Sequence, residues 1–308
     1  MEITVDTSLR ELFETEEFRP YQQFMIACSP EHTESIKKYT PASMQRDYPN
    51  REARSMVLGL KRFQELRQSG HCIAPELYSK AEIEAEPRLA GTRLFFFPGK
   101  PGEKFVLLCG GGGFHHVCNM TEAFPVAARL NELGYNVFCL SYRIEPDATR
   151  ADWDRVKRTA LEDVSKAVEV ILKNAESFRV SARDYAIGGF SAGCMLTGMW
   201  CIGKYGWQKY KLPAPGMAFM IYGYVDDLNE VDETFPASFI AANEDDPLFD
   251  PRPTFLKDWS ARLSACGTAN KLMLGKKGGH GFGLGLGTDC EGWVDEAVSF
   301  WEVHKGQR

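Results

Sequence analysis

Near the middle of the chain, Gly189-Phe190-Ser191-Ala192-Gly193 fits the pattern G-x-S-x-G. In that pattern a serine sits on a sharp turn with its hydroxyl exposed, and the glycines let a preceding strand and a following helix approach closely. The flanks fit: Tyr185-Ala186-Ile187 reads as a strand, and Ser191 to Gly203 as an apolar helix. A serine hydroxyl is a weak nucleophile, so the chemistry needs a base within hydrogen-bond reach and a carboxylate to orient that base. A five-residue match also occurs in ordinary glycine turns, and its weight depends on finding those partners.

The partners are sought just past the carboxyl ends of the other strands, where functional groups gather in an open parallel sheet. After Phe105 to Cys109 comes Gly110-Gly111-Gly112-Gly113-Phe114-His115-His116, whose glycines leave backbone N–H groups unobstructed. Such donors stabilise the oxyanion of acyl transfer, with Gly112, Gly113 and Ala192 as candidates. Neither phosphate-cradling pattern, G-x-G-x-x-G nor G-x-x-x-x-G-K-[ST], can be written there. After Ala237 to Ala242 the loop Asn243 to Asp250 offers two adjacent carboxylates, Asp245 and Asp246, of which Asp246 is preferred. After Lys271 to Leu274 comes Gly278-Gly279-His280-Gly281-Phe282. Of the six histidines (His32, His71, His115, His116, His280 and His304), His280 alone lies in the right order. Ser191, Asp246, His280 is the order of nucleophile, acid and base expected on this architecture. Phe114, His115 and Phe282 are the expected substrate-binding residues. His115-His116 lack a third ligand, so no metal is expected, nor any organic cofactor.

The elements that must position these groups alternate between strand and helix from Thr92 onward. Leu94 to Phe97 and Phe105 to Cys109, joined by the turn-rich Pro98 to Gly102, read as adjacent antiparallel strands. Asn136 to Leu140 and Met217 to Tyr222 are further strands. Helices are expected over Thr121 to Leu133, Arg155 to Phe178, Pro253 to Ala265 and about Cys290 to His304. Repeated strand and helix units with nearly continuous apolar strands imply an α/β fold, a mostly parallel twisted sheet with helices on both faces. That domain is drawn over 89–308. Residues 1–88 read instead as a helical extension, with helical patterns at Ser8 to Phe18 and Arg54 to Gln68 broken at Ser29-Pro30, Thr40-Pro41 and Tyr48-Pro49. The extension is expected to pack on the main domain, with part of it as a lid in the functional alternative.

The chain has 308 residues and a net charge of -6 without a basic cluster, which argues against a nucleic-acid partner. No apolar run approaches the roughly 20 residues of a membrane span. The start, Met1-Glu2-Ile3-Thr4-Val5-Asp6, has no signal-peptide pattern, giving an expectation of a cytoplasmic protein. Nine cysteines without C-x-x-C spacing, Cys28 and Cys72 among them, read as reduced and structural. Oligomeric state is not legible.

Together Gly111-Gly112-Gly113-Phe114, Leu140-Ser141-Tyr142-Arg143, Gly189-Phe190-Ser191-Ala192-Gly193, Asp246-Pro247-Leu248 and Gly279-His280-Gly281-Phe282 resemble the α/β-hydrolase superfamily. The likeness is to its carbohydrate acetylesterase and small-ester carboxylesterase branch, over about residues 92 to 304. Gly110 stands where that branch commonly has proline, and His115-His116 replace its more ordinary pocket residues. The resemblance implies a serine-dependent carboxylesterase whose partner is a small-molecule ester with a short acyl group, such as an acetylated sugar. It implies Ser191 as nucleophile, Asp246 as orienting acid and His280 as base. Two other readings are a serine peptidase of the oligopeptidase type and a binding protein on a hydrolase scaffold. No repeats of an accompanying propeller are present for the first, and no triad member is missing for the second.

Overall fold

Runs of consecutive apolar residues cannot lie half in water, so they form strands covered on both faces. In the computed structural model, which describes residues 1–26, 30–70, 74–249 and 254–304, they build one seven-stranded sheet. The strands are β1 (Arg93–Phe97), β2 (Phe105–Cys109), β3 (Asn136–Ser141), β4 (Ala186–Phe190), β5 (Met217–Ile221), β6 (Ala237–Asn243) and β7 (Asn270–Gly275). Their order is β1-β3-β2-β4-β5-β6-β7. All neighbours are parallel except β1 and β3. The expected antiparallel pairing of β1 with β2 is therefore incorrect. β3 lies between them, antiparallel to one and parallel to the other, because the Pro98–Gly102 connection spans a strand's width rather than closing a hairpin. Cys28, Ser29, His71, Cys72 and Asp250 lie outside the described residues, as does Pro253 at the start of an expected helix.

The chain steps one way along the sheet from β2 to β3 and the other way from β3 to β4. Right-handed crossovers then put the connecting helices on opposite faces. Accordingly, the helix Phe124–Glu132 packs with Trp293–His304, whereas Trp153–Lys173 packs with Ala192–Cys201. The helix expected over Arg155 to Phe178 is interrupted at Asn174, and a short turn, Ala175–Phe178, ends at Arg179 in the left-handed conformation. The helix expected from Thr121 opens with a widened π turn, Asn119–Ala123. Near the amino end only Leu9–Phe13 of the pattern from Ser8 to Phe18 is α-helical. Among the described residues no helix is long and apolar enough to cross a membrane.

Residues 1–88 share one continuous apolar core with the sheet. The helix Ala53–Gln68 lies on Phe124–Glu132 at Gly59, where a Cβ would come within 2.7 Å of the Pro125 nitrogen. Four residues on, Phe63 stacks on Phe124 at 5.5 Å and meets Phe95 of β1 edge-on at 5.8 Å. A polar cluster makes a second tie. Asp163 is fully buried and accepts from the Tyr78 hydroxyl (2.6 Å), the Arg143 backbone N–H (2.7 Å) and Arg143 Nε (2.9 Å). The same guanidinium reaches Glu86 at 2.9 Å and Glu162 at 3.0 Å. Tyr78 and Glu86 belong to the extension, Arg143 follows β3, and Asp163 sits on a sheet helix.

Removing Asp163 takes away the buried acceptor of both Arg143 and the Tyr78 hydroxyl and leaves only the more exposed Glu86 and Glu162 to offset the guanidinium. Asp163→Ala is therefore expected to lower unfolding free energy by about 3 kcal/mol, read from urea denaturation. Tyr78→Phe, which deletes only the hydroxyl, is expected to cost about 1 kcal/mol.

Candidate active site

The turn between β4 and the helix Ala192–Cys201 holds Ser191 at φ 51°, ψ −116°. That backbone is rare for an L residue and costs on the order of 1–3 kcal/mol. Both glycines of the pattern are required by contact. A Cβ on Gly189 would stand 2.1 Å from the Gly193 carbonyl oxygen, and one on Gly193 would stand 2.1 Å from that of Cys109. The Ser191 N–H donates to the Ile221 carbonyl (3.0 Å), anchoring the turn to β5.

Two loops deliver the other groups. His280 Nε2 lies 2.7 Å from Ser191 Oγ, and His280 Nδ1 lies 2.8 Å from Asp246 Oδ2. Asp246 is buried, and its other oxygen accepts from the Leu248 N–H at 2.8 Å. Asp245 points elsewhere: it accepts from the N–H groups of Gly278 (3.2 Å) and Gly279 (2.7 Å), bracing the loop that carries His280. Asn50 of the extension donates to the His280 carbonyl at 2.8 Å.

A cavity of about 500 Å³ opens over Ser191 and His280. Gly112 (φ 124°) and Gly113 (φ 64°) form part of its wall. Ala192 opens the helix that follows Ser191, so its N–H has no partner within that helix. The expected pocket residues need correction. Phe114 is fully buried, turned inward by its own left-handed backbone (φ 64°), and packs on Tyr142 and Trp153. His115 is directed to the Pro146 carbonyl (2.9 Å), and Phe282 is buried against Tyr222. None of the three lines the cavity. His116 does, beside Asp47, Asn50, Arg51 and Glu122.

Glu122 is a buried carboxyl that no spacing in the sequence singled out. It accepts from the Gly111 N–H (2.5 Å) and the Tyr222 hydroxyl (3.1 Å), and that hydroxyl accepts from the Gly283 N–H (3.1 Å). The chain ties the glycine loop to the segment following His280. Burial pushes the Glu122 carboxyl above its ordinary range, against the opposing pull of the Gly111 N–H. Among the described residues no three His, Cys, Asp or Glu side chains are grouped to hold a metal ion.

Burial holds His116 down at about 4, and its ring stacks on His32 at 5.4 Å. His116 is thus neutral at pH 7. The unfolded chain binds the extra proton between pH 6.5 and about 4, so this histidine's contribution is intact above pH 6.5 and is lost as pH falls through that window. His116→Asn is expected to flatten the acid-side fall in stability between those limits, as followed by urea midpoints at successive pH values.

A protein-family model described as BD-FAE matches residues 98–207. An acetylxylan esterase of Xylanibacter ruminicola is 26% identical over 223 residues, 62% of this chain and 43% of the relative. An endo-1,4-beta-xylanase B of Butyrivibrio fibrisolvens is 32% identical over 93 residues, 30% of this chain and 14% of the relative. The chain thus spans less than half the length of either relative. Among solved structures, an acetyl ester-xyloside bifunctional hydrolase from Caldicellulosiruptor lactoaceticus superposes with TM-score 0.57 at 18% identity, covering 75% of this chain and 95% of that one. A putative carboxylesterase from Lactobacillus plantarum superposes with TM-score 0.58 at 15% identity, covering 76% and 98%. With the strand order and the serine turn after β4, these likenesses identify an α/β-hydrolase fold in a chain that is similar in sequence to an acetylxylan esterase.

Proposed function

We propose that the chain is a serine-dependent carboxylic-ester hydrolase that acts through an acyl-serine intermediate on short-chain acyl esters, acetyl esters of carbohydrates foremost. The observation that carries this reading is the unbroken hydrogen-bonded line from Ser191 through His280 to Asp246 at the floor of an open cavity.

In this reading, with the imidazole proton on Nδ1 and donated to Asp246, Nε2 takes the Ser191 proton as Oγ attacks the ester carbonyl. The buried Asp246 carboxylate stabilises the imidazolium that forms. Negative charge on the carbonyl oxygen is met by N–H groups of Gly112, Gly113 and Ala192. Collapse expels the alcohol, which takes the proton from Nε2 and leaves acyl-Ser191. Water then attacks the acyl group, giving its proton to Nε2; collapse breaks the bond to Ser191 Oγ, which takes that proton back as the acid leaves. A sugar alcohol suits the polar wall formed by Asp47, Asn50, Arg51 and His116. The acetyl-ester relatives support the choice of acyl group.

Hydrolysis of p-nitrophenyl esters from acetate to octanoate tests the reading. Wild type is expected to prefer acetate, and Ser191→Ala to lose about four orders of magnitude in kcat or more. Folded wild type inert on every ester, or Ser191→Ala as active as wild type, would contradict it. Asp246→Asn is expected to lower kcat by about 10⁴ because it leaves the wrong tautomer. Asp245→Asn, which only loosens the His280 loop, is expected to cost far less.

A further inference from the structure

Tyr48-Pro49-Asn50-Arg51 forms a tight turn, with the Arg51 N–H donating to the Tyr48 carbonyl at 2.9 Å. Asn50 and Arg51 of the turn are used differently. Asn50 holds the His280 loop, whereas the Arg51 side chain lies in the wall of the catalytic cavity. Its guanidinium sits 4.5 Å over the Tyr48 ring. Stacking uses the flat face of the group and leaves the N–H edges, a fork shaped for a carboxylate.

The carboxyls on the same wall do not occupy that fork. Asp47 is paired with Arg46 at 3.5 Å. Glu122 is engaged by Gly111 and Tyr222, and burial pushes it toward its neutral form, outweighing the opposing pull of the Arg51 charge. His116 is held neutral by burial, so among the cavity-lining residues Arg51 bears the one permanent positive charge. It carries that charge with no ion-pair partner among the described residues.

We propose that Arg51 selects esters whose alcohol portion bears a carboxylate, such as an acetylated uronic acid, and holds that carboxylate while Ser191 attacks the ester. This rests on the ester-hydrolase reading. Arg51 acts on specificity and takes no proton.

The test compares 4-acetoxybenzoate with its methyl ester, a matched pair differing in one negative charge. The quantity read is the ratio of their kcat/KM values in wild type, Arg51→Met and Arg51→Lys, each checked for folding by circular dichroism. A charge-assisted pair predicts a ratio about tenfold or more higher in wild type than in Arg51→Met, carried by KM. Arg51→Lys falls between, since an ammonium keeps the charge without the fork. In wild type alone the ratio falls as salt is raised, a readout that stands even if a variant misfolds. A ratio indifferent to both salt and Arg51→Met overturns the proposal while leaving ester hydrolysis intact. An equal loss of kcat on both esters also overturns it, moving Arg51 to transition-state stabilisation. Failure of wild type to cleave either ester overturns the ester-hydrolase reading and this proposal with it.

Discussion

A serine forced into a left-handed backbone is the constraint on which the rest of the structure depends. Ser191 keeps φ 51° because its surroundings leave no alternative. β4 is pinned between β2 and β5, the following helix is buried almost throughout, and Gly189 and Gly193 admit carbonyl oxygens where any side chain would collide. Strain of this kind persists only where packing over-determines it. The apolar sheet and its two helical layers are thus what present one hydroxyl, at a fixed height, to groups arriving from the loops after β6 and β7.

Those loops are themselves braced. Adjacent carboxylates divide the work: Asp246 meets the imidazole, and Asp245 gathers the N–H groups of the histidine loop. Glu122 and Tyr222 join the glycine loop to Gly283, and Asn50 holds the His280 carbonyl. The extension shares the sheet's core through Phe63, is tied to it through Tyr78, and supplies one wall of the cavity. Under the proposed mechanism, preorganisation of this kind is what lets donors and base act without reorganising as charge develops.

What could be read from the sequence was whatever local backbone geometry dictates. Gly189 and Gly193 around Ser191, and Gly111 and Gly112 after β2, mark places where a Cβ cannot fit, and buried parallel strands announce themselves as apolar runs. Ser191, Asp246 and His280 follow the chain order of such a site, and the structure brings them together. Asp245 and Asp246 are chemically alike, and only the turn after β6, closed by the Asp246 N–H on the Asn243 carbonyl, decides which faces the histidine. Pairing of β1 with β3 was illegible because strand neighbours are a non-local choice. So was the reach of Asn50 to a carbonyl 230 residues away. Phe114 misled because an aromatic beside glycines suggests a pocket wall, whereas its positive φ turns the ring into the core.

The central claim is that Ser191 is an activated nucleophile. Incubation with a fluorophosphonate, followed by intact-mass measurement and peptide mapping, tests this without any assumption about the natural ester. One adduct per chain, on Ser191, absent in Ser191→Ala and after unfolding, is the result expected. No adduct on the folded protein, or an adduct on another residue that survives Ser191→Ala, would contradict the account.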